Sequence, residues 1–296
     1  MSRSPRVYVA GKTIAAAEAA VSIRDAALLH GLGVFETLRT YGGRPFRLRA
    51  HLARLRTGAA FLRFEVAESD ERIAEVVAEL VEGSAAPDAR IRITATGGHA
   101  ADGAMAGKPA ASREPPPATL IVTADPLAPY ASDLYERGAA AVLSAIRVSE
   151  ADPTLRHKTT SRARHVLALR GARAAGALEA IFLNSAGRVA EGTVSNVFVV
   201  CGGALETPPP EEGLLPGIAR AAVLELAEGL AIPVAERPIT IEELRGADEV
   251  FLTNSIMEVM PVVRLEGQAV GAGKPGLVTR RLAAAYKDLV ARETRG

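Results

Sequence analysis

Ala180-Ile-Phe-Leu-Asn-Ser-Ala-Gly-Arg-Val-Ala-Glu-Gly-Thr-Val-Ser-Asn-Val-Phe-Val-Val200 is the stretch that decides the fold. Ala180–Asn184 and Val194–Val200 are short runs rich in β-branched and aromatic residues, with Arg188–Glu191 between them and a turn at Ser185-Ala-Gly. Such runs broken by turn residues read as a β-meander. Cys201-Gly-Gly turns the chain back at its far end.

Outward from this core, Ala140–Ser144 reads as a strand, and Thr159–Ala175 predicts a helix ending near Gly176. Downstream, Pro208-Pro-Pro leads to Gly217, where a helix over Ile218–Glu228 begins. Thr240 and Glu243 have the spacing of a capping box and open a short helix. Glu249–Thr253 is a strand with Asn254-Ser as its turn, and Val278, Leu282, Ala285 and Leu289 mark a C-terminal helix.

The N-terminal half alternates similarly. Residues 6–14 read as one strand, and Val34–Tyr41 as a β-rich run ended by Gly42-Gly43. Leu48, Leu52, Leu55, Ala59 and Leu62 lie on one helical face, and Ile73, Val76, Val77 and Leu80 on another. Arg90–Thr96 and Thr119–Thr123 are strands around a mobile loop over 97–118. Asp125-Pro-Leu-Ala-Pro-Tyr130 reads as a linker, because two prolines stiffen it and break any helix. The expected architecture is α+β (mixed α/β). A small N-terminal domain spans 1–122, a linker 123–133 and a larger C-terminal domain 134–296.

Composition narrows the function. The 296 residues are 48% hydrophobic and 23% charged, a balance that excludes disorder and collagen-like repeats. A net charge of +1 leaves no electrostatic footprint for nucleic acid or an anionic membrane. No apolar run reaches the roughly 18 residues of a membrane span, and the N-terminus lacks a signal peptide's apolar core. Cys201 has no partner for an internal disulfide, and the five histidines have no metal-site spacing. These features fit a cytoplasmic protein without a metal.

Only five of the 35 basic residues are lysines: Lys12, Lys108, Lys158, Lys274 and Lys287. Lys158 stands out, in Leu155-Arg-His-Lys-Thr-Thr-Ser-Arg162 where a helix is expected to begin. Arg156, Arg162 and a helix N-terminus all disfavour its ammonium form, and a neutral amine is what Schiff-base chemistry needs. The plain alternative is a solvated lysine in a basic patch. Glu191, between an apolar strand and Gly192, could sit partly buried against a ring nitrogen, or be an ordinary strand-end glutamate. Leu214-Leu-Pro-Gly-Ile-Ala-Arg220 opens a helix whose free N–H groups suit an anion, or is a plain helix start. Arg54, three residues after His51, could reach a phosphate, or lie on the surface.

In order, these pieces resemble one family. Val34-Phe-Glu-Thr-Leu-Arg, His51-Leu-Ala-Arg-Leu, Lys158, Glu191-Gly-Thr-Val-Ser-Asn-Val-Phe, Leu215-Pro-Gly-Ile-Ala-Arg and Thr253-Asn-Ser-Ile-Met-Glu-Val-Met-Pro-Val run as in the class IV aminotransferases, the fold-type IV pyridoxal-phosphate enzymes. The resemblance spans roughly residues 6 to 265. It implies pyridoxal 5′-phosphate as cofactor, held between two domains, and a homodimer whose subunits complete each other's sites. Lys158 would form the Schiff base and shuttle the substrate proton. Glu191 would pair with the pyridine nitrogen, with Ser195 and Asn196 of the same motif also on the cofactor. Arg54, Gly217, Ile218, Ala219 and Ser255 would bind its phosphate. Amides of the Ser255-Ile256-Met257 turn would meet the substrate carboxylate. Glu36, Thr37, Arg39, Arg156 and Arg162 are candidate substrate-pocket residues; Glu36 and Arg39 could equally sit on a solvated strand face.

The chain departs from the family in three places. Ala219 replaces the threonine of the phosphate turn. Ala163 stands where branched-chain enzymes have a tyrosine, and Arg162 lies four residues after the lysine, as in aminodeoxychorismate lyases. The Arg-x-His carboxylate trap of D-amino acid enzymes is missing around His99. The Asn254-Ser-Ile-Met-Glu-Val-Met-Pro stretch and the Lys-x-x-x-Arg spacing both resemble aminodeoxychorismate lyase most, so the resemblance points first to that enzyme, which releases 4-aminobenzoate and pyruvate. The alternative is a transaminase moving an amino group from a D- or branched-chain amino acid, or an amine, to a 2-oxo acid. A non-catalytic pyridoxal-phosphate-binding protein is a remote third.

Overall fold

The structure, a computed structural model, describes residues 5–84, 86, 88–98 and 118–295. The chain divides into two compact units. One comprises Met1–Ala128, His157–Ser161 and Glu293–Gly296; the other comprises Pro129–Arg156 and Arg162–Arg292.

The first unit is built on an antiparallel six-stranded sheet in the order β2-β1-β6-β5-β3-β4. The strands are β1 (Arg6–Val9), β2 (Lys12–Ala15), β3 (Gly33–Tyr41), β4 (Arg44–Pro45), β5 (Ala89–Thr96) and β6 (Thr119–Pro126). The single strand expected over 6–14 is therefore a hairpin. Ala10 and Gly11 make its turn at φ 47° and 88°, the left-handed pair that a two-residue hairpin loop needs. A short helix α1 (Ala26–His30) precedes β3, and α2 (Leu48–Phe61) and α3 (Asp70–Glu82) follow it. Leu52, Leu55 and Ala59 of α2 and Ile73, Val76 and Val77 of α3 share one core with Val34, Leu38, Ile91, Ile93, Leu120 and Val122 of the sheet.

The linker expected from residue 123 starts later, because β6 runs to Pro126 and pairs along its length with β5. Leu120 and Val122 anchor the strand in the core, and a proline is tolerated where the strand ends. The loop expected over 97–118 lies outside the described residues except at Gly97, Gly98 and Ala118.

The second unit carries a mixed nine-stranded sheet, ordered β12-β11-β10-β13-β14-β7-β8-β9 with β15 beside β14. Its elements are α4 (Ser132–Arg137), β7 (Ala139–Leu143), α5 (Ala163–Ala174), β8 (Glu179–Leu183), β9 (Val189–Gly192), β10 (Asn196–Cys201), β11 (Ala204–Thr207), α6 (Ile218–Gly229), β12 (Val234–Glu236), α7 (Ile241–Arg245), β13 (Glu249–Asn254), β14 (Glu258–Leu265), β15 (Gln268–Ala269) and α8 (Leu277–Thr294). Ile181 and Leu183 of β8 enter one core, while Ala180 and Phe182 enter another with Ala168 and Ala172 of α5. Burial on both faces explains why this strand reads as a continuous apolar run. The capping box at Thr240 and Glu243 forms as its spacing implied.

Candidate active site

Lys158 is placed by backbone pairing. The N–H of Phe35 donates to the Lys158 carbonyl and the N–H of Thr160 to the Gly33 carbonyl, both at 2.8 Å, so residues 158–160 lie along the start of β3. Thr160 Oγ1 donates to the Gly31 carbonyl at 2.9 Å, and His157 stacks on Phe61 with ring centroids 4.1 Å apart. The helix expected from Thr159 begins at Ala163 instead. The segment cannot coil while its backbone is bonded to β3. The Lys158 amine lies 4.9 Å from the centroid of Phe35, and the guanidinium of Arg92 lies 3.9 Å from the same ring. Arg92 was not a candidate from sequence; its only signal is a charged position within the alternating Arg90–Thr96.

The two-residue period of β3 separates three candidates that are adjacent in sequence. Val34, Glu36 and Leu38 face α2, whereas Phe35, Thr37 and Arg39 face the other way. Glu36 is fully buried. It accepts from Arg54 Nε on Oε1 at 2.8 Å and from Arg54 Nη2 on Oε2 at 2.7 Å, with His51 Nδ1 2.6 Å from Oε2. Burial alone would raise its pKa, but Arg54 and His51 hold it down at about 2. His51 is held below its ordinary value by the same burial, against the pull of Glu36, so a neutral ring donates to a carboxylate. Glu36 is thus neither a pocket residue nor part of a solvated face; it orients Arg54. Arg39 donates to Asp88 at 3.0 Å and lies over Tyr41, and Thr37 is half-buried opposite Arg92 in β5.

In the second unit, Glu191 lies one residue before the end of β9, at 6% exposure. Its Oε2 accepts the N–H of Leu215 at 3.0 Å, and its Oε1 lies 3.7 Å from His165 Nε2. The turn after it is gathered by Glu179, which sequence reasoning passed over as one charge in an apolar strand. The buried Glu179 carboxylate accepts from the hydroxyls of Thr193 and Ser195 and from the N–H groups of Thr193 and Val194. Burial raises its pKa, and these bonds oppose the rise. Arg162 Nη2 donates to the Thr193 carbonyl at 2.6 Å and Asn254 Nδ2 to the Val194 carbonyl at 3.1 Å. Ser195 and Arg162 therefore hold this turn. Asn196 Nδ2 donates to the Leu215 carbonyl at 2.8 Å, tying β10 to the approach to α6. Arg156 is exposed at the end of a short 3-10 turn, Pro153–Arg156.

Helix α6 starts at Ile218 with Gly217 as N-cap, and no side chain among the described residues caps it. A Cβ on Gly217 would collide with Asn196 Oδ1, so a larger residue there would have to displace the Asn196 amide. Ala219 is buried and Ile218 half-buried. The turn at Ser255 differs from expectation. The N–H groups of Ile256 and Met257 both donate to Asn254 Oδ1 at 2.8 Å, an acceptor already in place where a substrate carboxylate was expected. The side chain of Met257 is in the core. Ser255 is half-buried beside it.

The family model for class IV amino-transferases matches residues 33–265. This chain belongs to the class IV aminotransferase family. It is 32% identical over 298 residues to the branched-chain-amino-acid aminotransferase of Salmonella typhimurium, covering 97% of this chain and 94% of that one. It is also 32% identical over 286 residues to the aminodeoxychorismate lyase of Bacillus subtilis, covering 95% and 93%. The solved branched-chain aminotransferase of Thermoproteus uzoniensis, with norvaline, superposes at a TM-score of 0.86 with 31% identity, over 98% of this chain and 96% of that one. Solved branched-chain aminotransferases are among the structures that match, so the comparisons favour a transaminase over the lyase that the sequence motifs suggested. The fold is that of fold-type IV enzymes, and the chain is an enzyme whose cofactor is pyridoxal 5′-phosphate.

The donor set fits that group. An uncapped helix N-terminus preceded by a glycine suits a phosphate. A buried carboxylate with one oxygen already fixed suits a protonated ring nitrogen. No cluster of metal ligands occurs among the described residues, and none of their helices is long and apolar enough to cross a membrane.

Proposed function

We propose that this enzyme moves the amino group of a small aliphatic amino acid, of the branched-chain type, to a 2-oxo acid. The observation that carries this reading is the pair of cations on Phe35, the Lys158 amine at 4.9 Å and the Arg92 guanidinium at 3.9 Å from its centroid. An amino acid presents an amine and a carboxylate, and these two groups on one ring suit them: the lysine for covalent exchange and proton transfer, the arginine for anion binding.

Pyridoxal phosphate supplies, when bound, an electron sink that stabilises the carbanion left as the α-proton departs. The chain's own residues do the rest. Lys158 Nζ would hold the cofactor and, freed by the incoming amine, would take up and return the proton of the substrate α-carbon. Glu191 accepts the ring N–H and keeps that nitrogen charged. The first N–H groups of α6, at Ile218 and Ala219, bind the phosphate, as does Arg54 under the control of Glu36 and His51. Arg92 holds the substrate carboxylate, a role that suits it better than the Ser255 turn, whose Ile256 and Met257 amides are taken by Asn254. Arg162, whose spacing suggested the lyase, has a structural commitment to Thr193.

The enzyme works as a homodimer in the cytoplasm. Val21, Ile23, Leu28, Leu29 and Leu32 expose apolar side chains within one short stretch, Ile23 at 80%, and a second copy of the chain would cover them.

One assay separates the readings. The loaded enzyme is given leucine, isoleucine, valine or D-alanine with 2-oxoglutarate, and separately aminodeoxychorismate without any oxo acid. Glutamate formed from the branched-chain substrates is the expected result. Fluorescent 4-aminobenzoate appearing without an oxo acid would make it a lyase.

A further inference from the structure

His165 lies on α5, and the mechanism above gives it no part. Its ring is edge-on to Phe182 of β8, with centroids 5.3 Å apart at 79°. The residue is 5% exposed, and among the described residues neither Nδ1 nor Nε2 has a hydrogen-bond partner. Leaving a buried polar ring unsatisfied costs stability, and such a group in a native fold calls for an explanation. The polar group it faces is the catalytic-site carboxylate: Nε2 stands 3.7 Å from Glu191 Oε1, just beyond hydrogen-bond length. The other oxygen of Glu191 is fixed by Leu215.

We infer that His165 is a positioning residue for Glu191, a neutral imidazole whose Nε2–H restrains Oε1 and so keeps the carboxylate turned toward the cofactor's ring nitrogen. This rests on the reading that Glu191 holds that nitrogen. With Oε2 bound to Leu215 and Oε1 facing an N–H, the carboxylate has one orientation instead of two. A shift of a few tenths of an ångström in either side chain closes the remaining gap.

The charged groups around the ring set its state. Glu191 on β9 favours the imidazolium, Arg162 and Arg164 at the start of α5 oppose it, and Phe182 on β8 is a neutral wall. Burial is the largest influence and keeps the ring below its ordinary pKa. Protonation at low pH would make His165 a competing cation for Glu191 and draw Oε1 away from the ring nitrogen. The bound cofactor should therefore lose its proton partner as His165 gains a proton.

The test uses the full chain, with cofactor bound and after its removal, as wild type, His165→Phe, His165→Gln and Glu191→Gln. Phe keeps the ring volume against Phe182 and removes the N–H; Gln returns an amide N–H near the position of Nε2. The imidazole titration of His165 is followed by NMR and assigned by its loss in His165→Phe. Removing the neighbouring charge in cofactor-free Glu191→Gln should lower its midpoint by about one unit or more. In the loaded enzyme, the pH midpoint of the cofactor's absorbance should move in His165→Phe and return toward wild type in His165→Gln. A His165 midpoint unmoved by Glu191→Gln overturns the inference. So does a cofactor absorbance that responds to Glu191→Gln but ignores His165→Phe, and that outcome leaves the role of Glu191 intact. An absorbance indifferent to both variants overturns the role of Glu191 itself.

Discussion

Glu36 and Arg54 meet through two parallel hydrogen bonds, Nε to Oε1 at 2.8 Å and Nη2 to Oε2 at 2.7 Å, with the carboxylate fully buried. A bidentate fork fixes a guanidinium in orientation as well as position. Glu36→Gln keeps the volume but removes the charge and one acceptor. Breaking a buried pair from one side costs about 3–5 kcal/mol, and the lower figure is expected because the Arg54 side chain keeps 12% exposure. Urea denaturation should show that loss, and the loosened arginine should weaken cofactor binding in a titration. Unchanged stability with unchanged cofactor affinity would mean that the fork does not position Arg54.

Stability should respond to acid in two stages. Glu36 is held at about 2 in the fold against an ordinary 4.5, so its contribution is complete above pH 4.5 and drains as the pH falls toward 2. His51 and His165 act earlier. Burial keeps both below 6.5, so the unfolded chain takes up their protons first and stability starts to fall as the pH drops below 6.5. Each unit of depression is worth about 1.4 kcal/mol once expressed. Denaturant midpoints measured from neutral pH downward should decline below 6.5, and the decline should be shallower in a His51→Gln, His165→Phe double variant. A flat profile down to 4.5 would show that neither ring is held neutral.

Lys158→Ala should separate chemistry from fold. The pairing that places the segment uses the backbone of residues 158 and 160, which alanine retains. The variant should unfold within about 1 kcal/mol of wild type, as substitutions away from core features do. The bound cofactor's yellow absorbance and turnover should both vanish. Persistence of both would remove Lys158 from its role.

Arg92→Gln should leave the cofactor in place and strike at the substrate. A charge-assisted bond to a carboxylate is worth about 2–3 kcal/mol, or 30- to 150-fold in kcat/KM. The loss should fall mainly on KM for both the amino acid and the oxo acid, because both present a carboxylate. A variant with wild-type KM for both substrates would return the carboxylate to the Ser255 turn.

Ile23 and Leu28, exposed at 80% and 67%, test the assembly. An Ile23→Glu, Leu28→Glu double variant should shift the species seen by light scattering from dimer to monomer, with unchanged circular dichroism. A wild-type chain that is monomeric at micromolar concentration would rule out the dimer.

Much of the fold was legible in the chain because its elements are locally consistent. The 3.6-residue period of Leu48–Leu62, the apolar run that starts at Ala180 and the Thr240–Glu243 capping box each specify their element without help from distant residues. The ordered motifs placed the chain in its family, and the rarity of lysine isolated Lys158. Tertiary structure decided what each polar group touches. Glu36 reads like its neighbours Thr37 and Arg39, but the pleat sends it into the core against α2. Glu179 and His165 show no local pattern, since the groups they face come from elsewhere in the chain. Thr159 and Thr160 read as helix and are extended, because hydrogen bonds to the start of β3, more than 120 residues earlier, outweigh their local preference. Periodicity is a property of neighbours along the chain. Side-chain pairing and desolvation are properties of neighbours in space, and they determine which of the candidate residues can take part in chemistry.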